Sequence, residues 1–253
     1  MRVSKKTKVR HRNGLNETLA DMPLSSRRVL FLTIARLDQK KIMERGTVFR
    51  VYASDYSELC GVDKSTAYQQ LKKAAKQLQH QVIAIPREEL LPPIPRVGEP
   101  LIPWKKLEGG IRMLNVTEYC DYMDGNGYID VAFSRQMEPY ICRLEKDFTT
   151  QILLSAVRLS DTNAIRIYQY LREKISAGKM QYFDIYLQQL KEDLGMNKSG
   201  YYKFYKNINN QYFKRSAKKI IEKTEFIKIN MEVIKRIKRR VVKVRISYEY
   251  DNY

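Results

Sequence analysis

Histidine is nearly absent, with His11 and His80 alone among 253 residues. They lie far apart, and each reads as a surface residue rather than a metal ligand. Cysteine is scarce too. Cys60, Cys120 and Cys142 are odd in number and too widely spaced for the paired ligands of a zinc site, so they read as buried thiols. No apolar run approaches the roughly 18 residues of a membrane span. The basic start MRVSKKTKVRHRNG has no apolar segment behind it, so neither a membrane partner nor a secretory signal is expected and the location implied is the cytoplasm. Acidic residues are few as well: 47 Lys and Arg outweigh 28 Asp and Glu, a formal charge of +19 that points to a polyanion.

What is present is a repetition. GVDKSTAY at 61–68 returns as GMNKSGYY at 195–202, and laying 49–68 on 183–202 without a gap gives seven identities in twenty positions. Among these are Phe49 with Phe183, Gly61 with Gly195 and Tyr68 with Tyr202. Each copy reads as strand, short helix, turn, long helix. VFRVY alternates, and Tyr56, Leu59 and Cys60 follow at helical spacing before Gly61, a residue suited to a helix C-terminus. Ser65 is the expected cap of the next helix, with Ala67, Tyr68, Leu71, Ala74, Ala75 and Leu78 on its apolar stripe and Lys64, Lys72, Lys73 and Lys76 outward.

The second copy has the more basic exterior. A helix over about 204–224 would bury Phe204, Ile208, Tyr212, Phe213, Ala217, Ile220 and Ile221, and present Lys203, Lys206, Asn207, Asn210 and Lys214 opposite. Amides and amines at such positions can read base edges in a major groove, and the cations neutralise phosphates. Tyr202, aligned with Tyr68, is expected in the core; Tyr201 and Tyr205 are open between packing and base stacking. Ile227, Ile229, Met231 and Val233 alternate outbound and Val242, Val244, Ile246 and Tyr248 on return, a hairpin with Lys235, Arg236, Lys238, Arg239 and Arg240 about its tip. Helix-turn-helix plus basic hairpin is a winged helix, so the fold expected is α+β: two tandem winged-helix domains related by internal duplication, 1–136 and 137–253, joined by a linker within 134–147. Residues 196–253 hold 16 Lys or Arg against 5 Asp or Glu.

Helices opened by Ser25 and Ser160 as caps are expected before each strand. In the first copy the hairpin is enlarged. VIAI at 82–85 leads into a segment with six of the eight prolines, either a protein contact surface, the favoured reading, or a mobile tip. RMLNVTEYCDYM then pairs with GYIDVAFS through a DGNG turn, where Asp121 and Asp124 read as turn formers. The N-terminal cations Arg2 to Arg12 form either a flexible arm on a duplex or a solubilising tail.

KKTKVRHRNGLNETLADMPLSSRRV at 5–29, TAYQQLK at 66–72, MEPYI at 137–141 and FTTQILLSAVRLS at 148–160 resemble the π-type plasmid replication initiators, which group with the F-plasmid RepE type among iteron-binding initiators. That resemblance implies a monomer on directly repeated origin sequences and a homodimer, in equilibrium with it, on an operator inverted repeat in copy-number control. Host initiator, helicase and chaperone proteins are the implied partners. It makes 201–215 the main base-reading element, with Lys198, Ser199, Tyr201, Asn209 and Arg215 joining the residues above, and Lys64, Ser65, Lys72 and Lys73 contributing from the first domain. RepE-type members carry arginines where this chain has Asn209, Asn210 and Gln211, so its base preference should differ. Two other function classes use similar parts. A nicking enzyme lacks a clustered metal site, and DKST and NKSG lack the glycine before lysine of a phosphate loop, so no catalysis and no cofactor are expected. A transcriptional repressor would use the same DNA-binding parts.

Overall fold

The computed structural model describes residues 4, 6–100, 108–198 and 200–251, without the side chains of Lys198 and Tyr201. The chain forms two compact units, Met1–Val157 and Arg158–Tyr253. The division falls some twenty residues after the expected 136/137 boundary for a physical reason. Strand β1 (Lys8–Arg12) pairs antiparallel with a strand at Phe148–Ile152, tying the expected linker region into the first unit. Within that region Glu138 is fully buried, accepting from the Met43 backbone at 2.7 Å and pairing with Arg96 at 3.3 Å.

After β1 come α1 (Asn16–Asp21), α2 (Leu24–Ile34), β2 (Phe49–Tyr52), α3 (Ala53–Cys60) and α4 (Lys64–Gln79). Gly61 closes α3 at φ +66°, as its lack of a Cβ allows. Asp63, not Ser65, caps α4, its carboxylate accepting from the Thr66 N–H at 2.9 Å. The cap sits two residues early because the helix already begins at Lys64. Ala67, Leu71, Ala74, Ala75 and Leu78 are buried, but Tyr68 is not: it stays 42% exposed, its hydroxyl lying over Gly127. Nor does Ser25 cap α2; Pro23 precedes the helix, and Ser25 and Ser26 both donate to the Gln77 side chain.

Strands β3 (Val82–Pro86) and β4 (Ile111–Asn115) form a ladder of their own, followed by β5 (Thr117–Tyr122) and β6 (Tyr128–Phe133). RMLN therefore pairs with VIAI rather than with GYIDVAFS. The enlargement precedes the wing, which is β5–β6 alone, joined by β2 in the order β2-β6-β5. The proline segment is strapped down over its described part: Leu90, Leu91 and Ile94 pack on the core, Leu91 N–H donates to the Tyr140 hydroxyl, and Glu99 pairs with Arg45 and Arg135. Residues 101–107, including Pro103, lie outside the described residues. The unit closes with α5 (Glu138–Ile141), β7 (Phe148–Ile152) and α6 (Leu153–Arg158).

The N-terminal cations from Lys8 to Arg12 are thus a strand, not a flexible arm. His11 is fully buried rather than on the surface, its Nε2 2.6 Å from the Gln151 amide, and burial lowers its pKa to about 4. His80 ends α4 and is exposed, as expected. Cys60 and Cys142 are buried and Cys120 half-buried, all as free thiols.

The second unit repeats the plan: α7 (Thr162–Ser176), β8 (Tyr182–Tyr186), α8 (Leu187–Asp193), two 3-10 turns at Met196–Lys198 and Gly200–Lys203, α9 (Tyr205–Asn207), a π-helical segment Ile208–Phe213, α10 (Lys214–Lys223), β9 (Phe226–Ile237) and β10 (Arg240–Tyr250). Asp161 rather than Ser160 caps α7, accepting from Ala164 N–H at 2.9 Å. Sheet order β8-β10-β9 matches β2-β6-β5 strand for strand. Both units are winged helices, and the duplication read in the sequence is a duplication of topology. Under the second sheet, buried Glu225 takes a 3.2 Å ion pair from Arg172 and a hydrogen bond from the Tyr168 hydroxyl. Among the described residues no helix is long and apolar enough to cross a membrane.

Candidate nucleic-acid interface

The expected long helix of the second unit is broken in a way that decides what it presents. Gly195 ends α8 at φ +66°, and after the turn at 200–203 Phe204 is extended, at φ −103° and ψ 137°, before α9 starts. Hydrogen bonds in the π segment skip one residue, so the face of the following turns rotates against a regular helix. Ile208, Tyr212, Phe213, Ala217 and Ile220 keep their places in the core. Phe204 and Ile221 do not, lying 66% and 38% exposed. Tyr202 is half-buried, edge-on to Tyr212 with ring centroids 5.4 Å apart. Burial raises the pKa of the half-buried Tyr205 phenol.

The outward residues divide by kind. Lys203, Lys206, Lys214 and Arg215 are exposed, and none has an ion pair among the described residues. Asn207 and Asn210, expected on the outward side, are half-buried, as is Asn209. The Asn209 side-chain oxygen is buried without a hydrogen-bond partner among the described residues. Ser199 lies outside the described residues, as do the side chains of Lys198 and Tyr201.

The wing completes the surface. Lys238 and Arg239 form its turn, both at positive φ, +43° and +66°, which lets the two long strands reverse in two residues. Lys235, Arg236, Lys238, Arg239 and Arg240 are all exposed. The tip lies beside the start of the candidate recognition helix: Arg236, Arg239 and Arg240 line one groove of about 470 Å³ together with Lys203 and Lys206. Like charges gathered without counter-charges repel, an arrangement that a bound polyanion relieves. Nearer the sheet, Tyr250 pairs with Phe226 and Glu249 with Lys228, so Ile227 is the extra residue of a bulge. The bulge turns Ile227 outward, 57% exposed, in place of its expected inward position.

In the first unit the matching helix is less free. Lys64, Ser65 and Lys73 are exposed on α4, but Lys72 is held by Asp124 of the wing turn at 2.8 Å and lies over the Tyr122 ring. Lys218, not among the expected contacts, is exposed on α10 beside Lys214 along a second groove against β9. Its spacing four residues after Lys214 was the available signal. Among the described residues no three His, Cys, Asp or Glu side chains gather as a metal site.

Two family profiles match in sequence: "Initiator Replication protein, WH1" over residues 8–172 and "Initiator Rep protein, WH2" over residues 186–248. The chain belongs to the initiator replication protein family. As a whole this initiator is 34% identical, over 267 aligned residues covering 99% of it and 85% of the relative, to the PI protein of Escherichia coli. It is also similar to the crystal structure of the Pi initiator protein in complex with iteron DNA: 32% identity, TM-score 0.81, covering 99% of this chain and 100% of the other. A structure of domains 2 and 3 of RctB, 12% identical with a TM-score of 0.52 over 93% of this chain and 83% of the other, shares the fold. The expected family, fold and double winged-helix organisation stand.

Proposed function

We propose that this initiator starts plasmid replication by binding directly repeated origin sequences, iterons, as a monomer, one recognition helix of each unit in successive major grooves of double-stranded DNA. The observation that carries the reading is the likeness along nearly the whole chain to an initiator structure holding iteron DNA. The unpaired cations on the second recognition helix and its wing support it, since phosphate neutralisation needs such charge. The second unit supplies most of the discrimination, its half-buried asparagines lying beside exposed lysines. With Lys72 paired to Asp124 and fewer cations on α4, the first unit makes the smaller share of the contacts.

Homodimers acting on an operator inverted repeat, and contacts with host initiator, helicase and chaperone proteins, belong to the same proposal. So do a cytoplasmic location and action by binding rather than catalysis. A plain transcriptional repressor is the less favoured reading, since the family is one of initiators.

The test is footprinting of the full chain on the DNA flanking its coding region. Protection of tandem repeats, each about two helical turns long and without internal two-fold symmetry, is expected. Protection by monomers of one short palindrome alone overturns the reading. Magnesium-dependent strand cleavage lost on substituting a single tyrosine overturns the non-catalytic part.

A further inference from the structure

Phe204 is an apolar residue in an unexpected place. Its spacing puts it on the core stripe of the recognition helix, yet the extended backbone at 204 swings it out to 66% exposure. It is not stranded on an indifferent surface. The ring lines the groove that Lys203, Lys206, Arg236, Arg239 and Arg240 also line, at the very start of the recognition helix. Water disfavours an exposed phenyl, and the ring shares the groove with five cations and with Leu187, Tyr205 and Val241. The partner that fits is one with anionic flanks and an apolar knob between them. In a duplex the phosphates are the flanks, and the C5-methyl group of thymine is the one apolar group on a major-groove base edge.

We infer that Phe204 is a specificity-determining residue that contacts a thymine methyl at the edge of the sequence read by the second unit. The inference rests on the DNA-binding reading above and adds to it a base and an atom. Lys203 and Lys206, on either side in sequence, would fix the ring by holding the neighbouring phosphates. The base is then recognised by shape and apolar contact rather than by a hydrogen bond. Cytosine, which lacks the methyl, and the bulkier purines would be discriminated against at that position.

The experiment uses the full chain and a duplex enriched by the wild-type protein from a randomised library. Each thymine is replaced in turn by deoxyuridine, which removes only the methyl. At one position the wild type should lose about fourfold in affinity, the worth of one buried methyl group. Phe204→Ala should bind the enriched duplex more weakly and show no methyl dependence there, while Phe204→Leu should keep part of it. Both variants should keep the wild-type circular dichroism, because the side chain is outside the core. The inference is overturned if Phe204→Ala binds as the wild type does, if it weakens binding to an unrelated duplex equally, or if it leaves the deoxyuridine effect unchanged. Failure of the wild type to enrich any duplex overturns the DNA reading along with it; enrichment without a methyl effect tied to Phe204 overturns this inference alone.

Discussion

Arg50 of β2 and Asp130 of β6 face each other across the first sheet in a two-pronged ion pair, at 2.8 and 2.7 Å. The second unit holds the same pair with its polarity reversed. Asp184, the counterpart of Arg50 in β8, binds Arg245 of β10 at 2.7 and 3.1 Å. Two copies have kept a strand-to-strand clamp while exchanging which strand carries which charge, so register rather than charge at either site is what the module preserves.

Hydrogen bonds from Arg245 are the largest cause of the lowered Asp184 pKa. A carboxyl with a depressed folded pKa adds stability above its unfolded pKa, near 4, and loses it as pH falls through the folded value. Asp184→Asn should therefore be less stable than the wild type in urea at pH 7, with the difference shrinking as the pH falls below the unfolded carboxyl pKa, near 4. A difference that stays constant as the pH falls would mean that the pair is not the cause.

His11 carries the opposite signature. Its folded pKa of about 4 lies below the unfolded value of 6.5, so between the two the unfolded chain binds the extra proton. Stability should fall as pH drops from 6.5 toward 4, by on the order of 3 kcal/mol. His11→Gln should flatten that stretch of a pH series of denaturation curves, whatever its effect at pH 7.

Removing one partner of the Arg172–Glu225 pair leaves a buried charge. Glu225→Ala should cost about 3–5 kcal/mol in equilibrium unfolding, and a paired apolar replacement, Arg172→Met with Glu225→Leu, much less. Equal losses in the two variants would contradict this.

On DNA, two residues of the recognition helix should separate cleanly. Lys206→Ala should weaken binding to all duplexes alike and lower the salt slope by about 1. Asn210→Ala should cost about 1–3 kcal/mol of preference between cognate and unrelated sites. Titrations of both duplexes across a salt series read the two quantities together, and an unchanged preference in Asn210→Ala would remove it from the base-reading set.

The duplication, the two helix-turn-helix modules, the basic wing and the partner class were legible because each is written locally. Period-2 and period-3.6 patterns, a glycine at a helix end and a run of cations need no knowledge of distant residues. The misplacements have two sources, distant strands and one-residue irregularities. His11 is buried because β7, some 140 residues away, pairs with its strand. RMLN belongs to VIAI because Val82 to Pro86 offered an unpaired edge. Phe204 and Ile227 face outward because an extended residue, in one case, and a single extra residue in a ladder, in the other, reverse which side of the element they occupy. Sequence by itself determined the modules and their charge. Tertiary structure decided register and facing, since both depend on which strands meet and on one-residue irregularities that leave the local pattern almost unaltered.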